Sequence, residues 1–269
     1  MPFCNMKKSE NKVLAYIGKF LLFLIKIPYY LVLGIYKLIR FIFSLRKKSS
    51  LKNSSSSNYK EFEVIDVSQG SYEKWINEIF NSDSQIGIVL GSRGSGKSAF
   101  GIKLLENVHV KSKKKCYAIG FNEEEMPSWI NVVLEISNIK ENSFVLIDEG
   151  GILFNSRNSM SNANKILSDL ILISRHKNLS ILFISQNSSN LEINILRQAD
   201  FLILKKSSLL QKEFERKIIQ KFYLQTEYKF NKFKDIKGLA YVYSNNFKGF
   251  ISNSLPSFWK ESISKSFKN

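Results

Sequence analysis

The chain has 269 residues, of which 44% are hydrophobic, and its 40 Lys and Arg residues outnumber its 23 Asp and Glu residues, giving a formal net charge of +17. This length allows one large domain or two smaller ones, and the hydrophobic content is sufficient for a core, which excludes a chain that is disordered throughout. Two cysteines and two histidines exclude a disulfide scaffold, a cysteine-based zinc site and a histidine-rich metal centre.

The positive charge lies at the two ends of the chain. Residues 1–60 carry a net charge of +11, residues 61–204 carry −3, and residues 205–269 carry +9. An excess of this size favours a polyanionic partner, which is either nucleic acid or an anionic membrane. The distribution predicts a soluble central domain between two basic ends.

Residues 13–45 form an apolar segment that is interrupted by lysines at regular intervals. Lys12, Lys19 and Lys26 are seven residues apart, and Lys37 follows eleven residues later. At about 100° per residue, a continuous helix would carry these lysines as one narrow stripe beside a broad apolar face. This pattern is typical of a helix that lies in the headgroup region of an anionic bilayer.

Two alternatives for this segment are a helix that spans the membrane over residues 20–36 and a helix that packs against the core. Residues 1–48 are accordingly predicted to be a membrane-associated helical segment, and 49–58 (SSLKNSSSSN) a flexible linker. Residues 59–269 then form one domain, with a basic extension from 205. This order predicts a membrane-associated protein, and we expect its soluble domain on the cytoplasmic side of the membrane.

A phosphate-binding loop is predicted at residues 91–98. Their sequence, GSRGSGKS, matches G-x-x-x-x-G-K-[ST], follows a short apolar strand at 85–90 and precedes a predicted helix over 98–107. Glycines let backbone N–H groups approach phosphate oxygens, and a helix N-terminus favours an anion. ATP and Mg²⁺ are therefore the predicted ligands, with Lys97 on the β- and γ-phosphates and Ser98 on the metal. The predicted nucleotide-binding residues are Gly91, Ser92, Arg93, Gly94, Ser95, Gly96, Lys97 and Ser98.

Two carboxylates follow the next buried strand, in the sequence SFVLIDEG of residues 143–150. The carboxyl ends of strands in an open α/β sheet are where ligands bind. Asp148 is predicted to hold Mg²⁺ through water, and Glu149 to activate the attacking water. A strand that ends in Asp-Glu is also a common entry into a turn. The presence of both carboxylates after a phosphate-binding loop favours hydrolysis over nucleotide binding alone.

A third apolar strand, residues 180–186, ends at Gln186, whose amide could orient the attacking water or cap the strand. Arg175 closes a helix predicted to start near residue 162. It is a candidate arginine finger acting on a neighbouring subunit, or a cation that stabilises the helix C-terminus. Weaker candidates for the arginine finger are Arg157 and Arg197. Further strands are predicted at 116–120, 200–205 and 239–243.

Residues 85–205 resemble the FtsK–HerA superfamily of P-loop motor ATPases. Within that superfamily the chain is most similar to the zonula occludens toxin family, which comprises assembly ATPases of filamentous phages, and it also resembles viral DNA-packaging ATPases. The resemblance is carried by GSRGSGKS (91–98), VLIDEGG (145–151), ISRHKNLSILFISQ (173–186) and LRQADFLIL (196–204).

This resemblance implies an α/β fold with a RecA-like P-loop NTPase core and a mainly parallel sheet. It also implies a ring of subunits, which we expect to be a hexamer, and movement of DNA or a virion past that ring. The roles given above to Lys97, Ser98, Asp148, Glu149, Gln186 and Arg175 are implied as well. One feature differs from the phage family, because the predicted membrane segment precedes the ATPase domain, as in FtsK and conjugative coupling proteins.

The basic extension mixes lysines with aromatic residues over 205–234, a composition that suits contacts with DNA phosphates. The alternative is a helix that packs on the sheet through Phe214, Ile218 and Phe222, which recur at a spacing of four. Phe258 and Trp259 are predicted to pack against the domain. The residues considered for DNA contact are Lys205, Lys206, Lys212, Arg216, Lys217, Lys221, Tyr223, Lys229, Lys232 and Lys234.

The sequence thus predicts a membrane-anchored, ATP-hydrolysing motor that translocates DNA in the packaging of a viral or mobile-element genome. The alternatives are an ATPase for virion assembly or extrusion that acts on protein, and a conjugative coupling ATPase. A small-molecule P-loop kinase and a scaffold that binds nucleotide without hydrolysis are two further classes. The expected partners are anionic lipid, DNA, other copies of this chain and other virion proteins.

Overall fold

The structure is a computed structural model that describes residues 33–40, 56–149, 160–191 and 193–265. The chain divides into two compact units, Met1–Lys52 and Asn53–Asn269. In the first unit, residues 33–40 are helical and mostly exposed. No helix within the described ranges combines the length and the apolar character that crossing a bilayer requires. The rest of the predicted membrane segment, and the predicted linker up to residue 55, lie outside the described residues.

The second unit is built on a mixed sheet of nine strands in the order β1-β9-β8-β7-β2-β6-β5-β3-β4. The six strands from β7 to β4 in this order are parallel, and β8, β9 and β1 add an antiparallel edge. The predicted α/β fold with a mainly parallel sheet is confirmed. The strands are β1 (Glu63–Gly70), β2 (Ile86–Leu90), β3 (Lys115–Ile119), β4 (Ile130–Val132), β5 (Ser143–Asp148), β6 (Leu179–Ser185), β7 (Phe201–Leu204), β8 (Leu239–Ser244) and β9 (Phe247–Ser252).

Helices cover the sheet. The described ones are α1 (Tyr72–Asn81), α2 (Lys97–Lys111), α3 (Met160–Ser174), α4 (Ile193–Gln198), α5 (Leu209–Phe214), α6 (Lys217–Lys232) and α7 (Glu261–Lys265). The central strands β2 and β6 are buried along their whole length, which explains why their sequences are continuous apolar runs without alternation. A Cβ atom at Gly101 of α2 would lie 2.8 Å from side-chain atoms of Leu146 and of Ile184. The glycine therefore lets α2 approach β5 and β6 closely.

The strand order brings distant parts of the sequence together at one edge of the sheet. β6 lies between β2 and β5, although it follows both in the chain. Because the three strands are parallel, their carboxyl ends lie at the same edge. The loop after β2, the carboxylates after β5 and Gln186 after β6 therefore become neighbours, as open α/β sheets require of a ligand site.

The prediction that Phe214, Ile218 and Phe222 form one buried face of a helix in the basic extension is wrong. Phe214 is 71% exposed and Ile218 is 52% exposed, while Phe222 alone packs, with its ring 4.4 Å from that of Tyr243. A break in the helix separates Phe214 from the other two residues, since α5 ends at Phe214 and α6 begins at Lys217, with an extended backbone between them. The three residues thus do not share one helix, and α6 instead buries a stripe formed by Ile219, Tyr223, Thr226 and Phe230.

Two residues of the predicted DNA-contacting set are also wrongly assigned. Lys205 is fully buried, and its Nζ donates to Gly238 O and to Asn253 Oδ1, both at 2.7 Å. Tyr223 is buried against the sheet. Neither side chain can reach a nucleic acid. The predicted packing of Phe258 and Trp259 is confirmed, because both lie partly buried against the core.

Candidate ATP-binding and hydrolysis site

The predicted phosphate-binding loop connects the buried strand β2 to the helix α2. Gly94 and Gly96 have φ values of +76° and +85°, in the left-handed region that favours glycine. Gly96 is the N-cap of α2 and supplies no side-chain hydrogen bond to the helix N-terminus. The first N–H groups of α2 therefore remain available for phosphate oxygens.

Gly91 is required by close packing. A Cβ atom at this position would lie 2.6 Å from Cβ of Lys205, which follows β7. The loop is also held by the residue after Lys205, because Ser92 donates from its backbone N–H and its Oγ to the carbonyl of Lys206, at 3.2 and 2.9 Å. The two residues that follow β7, Lys205 and Lys206, thus contact the phosphate-binding loop and hold it in place.

The side chain of Lys97 is buried against the backbone of the phosphate-binding loop itself. The residue is 8% exposed, and Nζ donates to Gly91 O at 2.8 Å and to Ser92 O at 2.9 Å. Burial lowers the pKa of Lys97, and the nearby carboxylates of Asp148 and Glu149 oppose this shift. The ammonium group is therefore positioned where phosphate oxygens would replace the two carbonyls as its acceptors.

Ser98 and Asp148 form a contact between the phosphate-binding loop and the end of β5, which are distant in the sequence. Ser98 Oγ donates to Asp148 Oδ2 at 2.8 Å. A hydroxyl oxygen beside a carboxylate oxygen is a donor set that suits Mg²⁺, which prefers hard oxygen ligands and takes the remainder from water and substrate phosphates. These two residues therefore fit the predicted metal-binding role.

Glu149 is the buried carboxylate of the site, with 4% of its surface exposed. It accepts hydrogen bonds from Ser185 Oγ, from the side chain of Asn190 and from the backbone N–H of Gln186. Burial raises the pKa of Glu149 above its ordinary value, although these three hydrogen bonds oppose the shift. A carboxylate in this environment is a stronger base than an exposed glutamate, as activation of water requires.

Gln186 lies directly beside Glu149 at the end of β6, and its side chain is exposed. Its backbone is used on both sides, because the N–H donates to Glu149 and the carbonyl accepts from Gln211 Nε2 at 2.5 Å. The structure thus brings Lys97, Ser98, Asp148, Glu149 and Gln186 to one edge of the sheet. Their catalytic roles stay predictions.

Arg175 lies at the opposite edge. It follows α3, in a turn whose Lys177 and Asn178 carbonyls accept the N–H groups of Asn142 and Ser143 at the start of β5. The six residues of β5 separate this turn from Asp148 by roughly 20 Å. Arg175 is therefore not part of the site in its own chain, and its role towards a neighbouring subunit stays a prediction. Arg197 is in the last turn of α4, and Arg157 lies outside the described residues.

Several residues that contact the site were not predicted from the sequence. Ser185 could have been found, because it directly precedes Gln186 at the end of a buried strand. Asn190 and Glu215 carry no comparable signal, since only the fold brings them near Glu149 or near the segment after β6.

Comparison with known families supports the assignment over part of the chain. The family model described as Zonular occludens toxin (Zot) matches residues 117–207. This range contains Asp148, Glu149, Gln186 and Arg175 and begins after the phosphate-binding loop. A sequence search of curated proteins gives no significant match.

Among solved structures, the chain is similar to the DNA-packaging ATPase B204 of Sulfolobus turreted icosahedral virus, with 16% identity, a TM-score of 0.43 and coverage of 65% of this chain and 99% of that one. It is similar to the genome-packaging NTPase B204 of Sulfolobus turreted icosahedral virus 2 in complex with ATP-gammaS, with 17% identity, a TM-score of 0.44 and coverage of 65% and 100%. A third similarity is to the N-terminal domain of zonular occludens toxin from Neisseria meningitidis, with 16% identity, a TM-score of 0.29 and coverage of 45% and 76%.

A complete phosphate-binding loop faces two carboxylates across the same sheet edge, and residues 117–207 match the family that the motifs indicate. The chain is a P-loop ATPase that resembles the zonular occludens toxin family.

Proposed function

We propose that this ATPase is a motor that translocates DNA, tethered to a membrane through residues 13–45 and working as a ring of identical subunits on a RecA-like core. The observation that carries the catalytic part is the meeting of Lys97, the Ser98–Asp148 pair and the buried Glu149 at one sheet edge.

The residues of the site would divide the reaction among them. Backbone N–H groups of the loop and the Lys97 ammonium would bind the phosphates and stabilise the charge that develops on them. Ser98 and Asp148 would hold Mg²⁺, which when bound neutralises phosphate charge. Glu149 would accept a proton from the attacking water at a carboxylate oxygen.

The exposed side of α6 supports DNA as the load. Lys217, Lys221 and Lys232 are exposed there, on the side opposite the buried stripe, together with the 75% exposed ring of Tyr228. Lysines that contact phosphates and an aromatic ring on which a base can stack are the usual components of a nucleic-acid surface. The competing function is an assembly ATPase that acts on protein, and the family match over residues 117–207 favours it.

The deciding experiment is a measurement of ATP turnover with Mg²⁺, without DNA and with single- or double-stranded DNA. We expect the wild-type chain to hydrolyse ATP faster when DNA is present, and Lys97→Ala to abolish turnover because the phosphates lose their buried cation. Unchanged turnover in Lys97→Ala would contradict the site. Wild-type turnover that DNA does not alter would favour protein as the load.

A further inference from the structure

The segment that follows β6, residues 186–191, contacts the catalytic carboxylate on one side. The backbone N–H of Gln186 and the side chain of Asn190 both donate to Glu149. Ser185, the last residue of β6, donates to the same carboxylate. Three donors within six residues therefore determine where the Glu149 oxygens lie.

The other side of this segment contacts the junction between α5 and α6. Glu215 is 5% exposed and lies between the two helices. Its Oε2 accepts the backbone N–H of Ser188 at 2.7 Å and also the hydroxyl of Ser188. Its Oε1 accepts from Gln211 Nε2 at 2.9 Å, and the same amide donates to Gln186 O at 2.5 Å.

Arg216 repeats the contact from the next position. Its Nε donates to Ser188 O at 3.0 Å, its Nη2 donates to Leu191 O at 2.5 Å, and its backbone N–H donates to Ser188 Oγ at 3.1 Å. Ser189 Oγ donates to Phe214 O at 2.8 Å. The junction therefore holds the segment at both ends and in the middle.

A buried carboxylate is stable only while its hydrogen-bond donors stay in place. Two of the donors to Glu215 come from Ser188, so a shift of the segment would leave that carboxylate poorly compensated. The same shift would withdraw Asn190 and the Gln186 N–H from Glu149. The segment is therefore constrained by buried carboxylates on both sides, and its position couples them.

We infer that Glu215 and Arg216 are positioning residues for ATP hydrolysis, which hold residues 186–191 so that the Gln186 N–H and Asn190 orient the Glu149 carboxylate towards the attacking water. The inference rests on the proposed function, because it requires Glu149 to be the base. The junction between α5 and α6, which the sequence predicts only as part of a basic extension, would thus contribute to catalysis.

The test compares Glu215→Gln with Glu213→Gln in the full-length protein. Each variant removes one negative charge, and the two positions are close in the chain. Glu213 is exposed, whereas Glu215 is buried. We expect Glu215→Gln to lower kcat by about tenfold, a fraction of what a general base contributes, with KM for ATP changed less than twofold. Glu213→Gln should match the wild type.

A double-mutant cycle with Asn190→Ala separates positioning from a general loss of structure. If Glu215 acts through the segment, Glu215→Gln should lower kcat much less in the Asn190→Ala background than in the wild type. Additive effects, or a kcat for Glu215→Gln that equals that of Glu213→Gln, would overturn the inference. If thermal unfolding shows that Glu215→Gln does not fold, Arg216→Lys replaces it, since it keeps the charge and loses the fork that reaches both Ser188 and Leu191.

Failure of the inference and failure of the proposed function give different results. If the wild type does not hydrolyse ATP, or if Lys97→Ala hydrolyses it equally well, the proposed function fails whatever Glu215 does. If Lys97→Ala is inactive and Glu215→Gln equals Glu213→Gln, the inference alone fails.

Discussion

At the scale of single residues, the environment of Glu149 explains how a common side chain becomes a candidate base. Burial removes water from the carboxylate and raises its pKa, and the donors Ser185, Asn190 and Gln186 keep the ionised form accessible. An exposed glutamate would ionise more readily and be a weaker base. The chemistry thus depends on the packing around the residue as well as on its identity.

We predict that Glu149→Gln lowers kcat by about 10²–10⁴-fold, the contribution of a positioned general base, while binding of a fluorescent ATP analogue is retained. Burial raises the pKa of Glu149 from its ordinary value of 4.5. The acid limb of the wild-type kcat/KM–pH profile, which reports groups of the free enzyme, should therefore lie above pH 4.5. Steady-state turnover across pH measures both effects. Glu141→Gln is the control, because Glu141 is an exposed glutamate that lies shortly before the start of β5. A fully active Glu149→Gln would exclude Glu149 as the base.

At the scale of elements, α2 links the phosphate-binding loop to the beginning and the end of the second unit. Lys103 and Glu106 form a buried ion pair at 2.8 Å on this helix. Glu106 also accepts the backbone N–H of Asn58 at 3.0 Å and both the N–H and the hydroxyl of Ser257. The helix that begins at the loop thus holds two segments that are 200 residues apart in the chain.

Glu106→Gln should lower the free energy of unfolding by about 3 kcal/mol, because it leaves the Lys103 ammonium buried without its counter-charge. Denaturant titration of the variant, and of Glu124→Gln at an exposed position, measures the difference. Equal midpoints for both variants and the wild type would show that the pair does not hold these segments together.

The exposed lysines of α6 are expected to contribute to DNA binding. Replacing Lys217, Lys221 and Lys232 by Ala should lower the ratio of DNA-stimulated to basal ATP turnover and reduce the salt dependence of DNA binding, because fewer counterions are released. The control replaces Lys113, Lys115 and Lys140, which are also exposed but lie near the amino ends of β3 and β5. An equal effect in both triple variants would indicate attraction by overall charge and not by this helix.

At the scale of the whole molecule, two buried lysines make stability depend on pH. Burial lowers the pKa of Lys205 to about 7 and that of Lys114 to about 8, from an ordinary value of 10.5. At pH values between the lowered pKa of each lysine and 10.5, the unfolded chain binds more protons than the folded chain. The free energy of unfolding therefore rises with pH in this range. Below about pH 7 both states are protonated, and the full cost of burying the charge of Lys205 applies.

The free energy of unfolding of the wild type should therefore increase from pH 7 to pH 9.5. Lys205→Met should show a smaller increase, whatever its stability at pH 7, because one of the two groups no longer titrates. Denaturant titrations at both pH values test this, with Lys206→Met, an exposed neighbour, as the control. Equal slopes for Lys205→Met and the wild type would mean that Lys205 keeps its ordinary pKa in the folded protein.

Much of the site follows from local sequence, because its chemistry uses residues at fixed spacing on one strand and the turn after it. The loop Gly91–Ser98 needs glycines, a lysine and a hydroxyl in that order, and Asp148–Glu149 needs only a buried strand before it. The mainly parallel sheet was predicted from the resemblance to the FtsK–HerA superfamily, and its central strands are continuous apolar runs, as is usual for strands buried on both faces.

The partners of these residues depended on the tertiary structure. Nothing in the sequence indicates that β6 lies between β2 and β5, that Asn190 reaches Glu149, or that Glu215 holds the segment between them. The spacing of Phe214, Ile218 and Phe222 predicted a buried face, but a break before Lys217 places Phe214 on a separate helix, and of the three only Phe222 packs against the core. Local chemistry therefore determined which groups could act on ATP. Long-range packing decided which of them meet, because hydrogen bonds between distant segments form only after the sheet has brought those segments together.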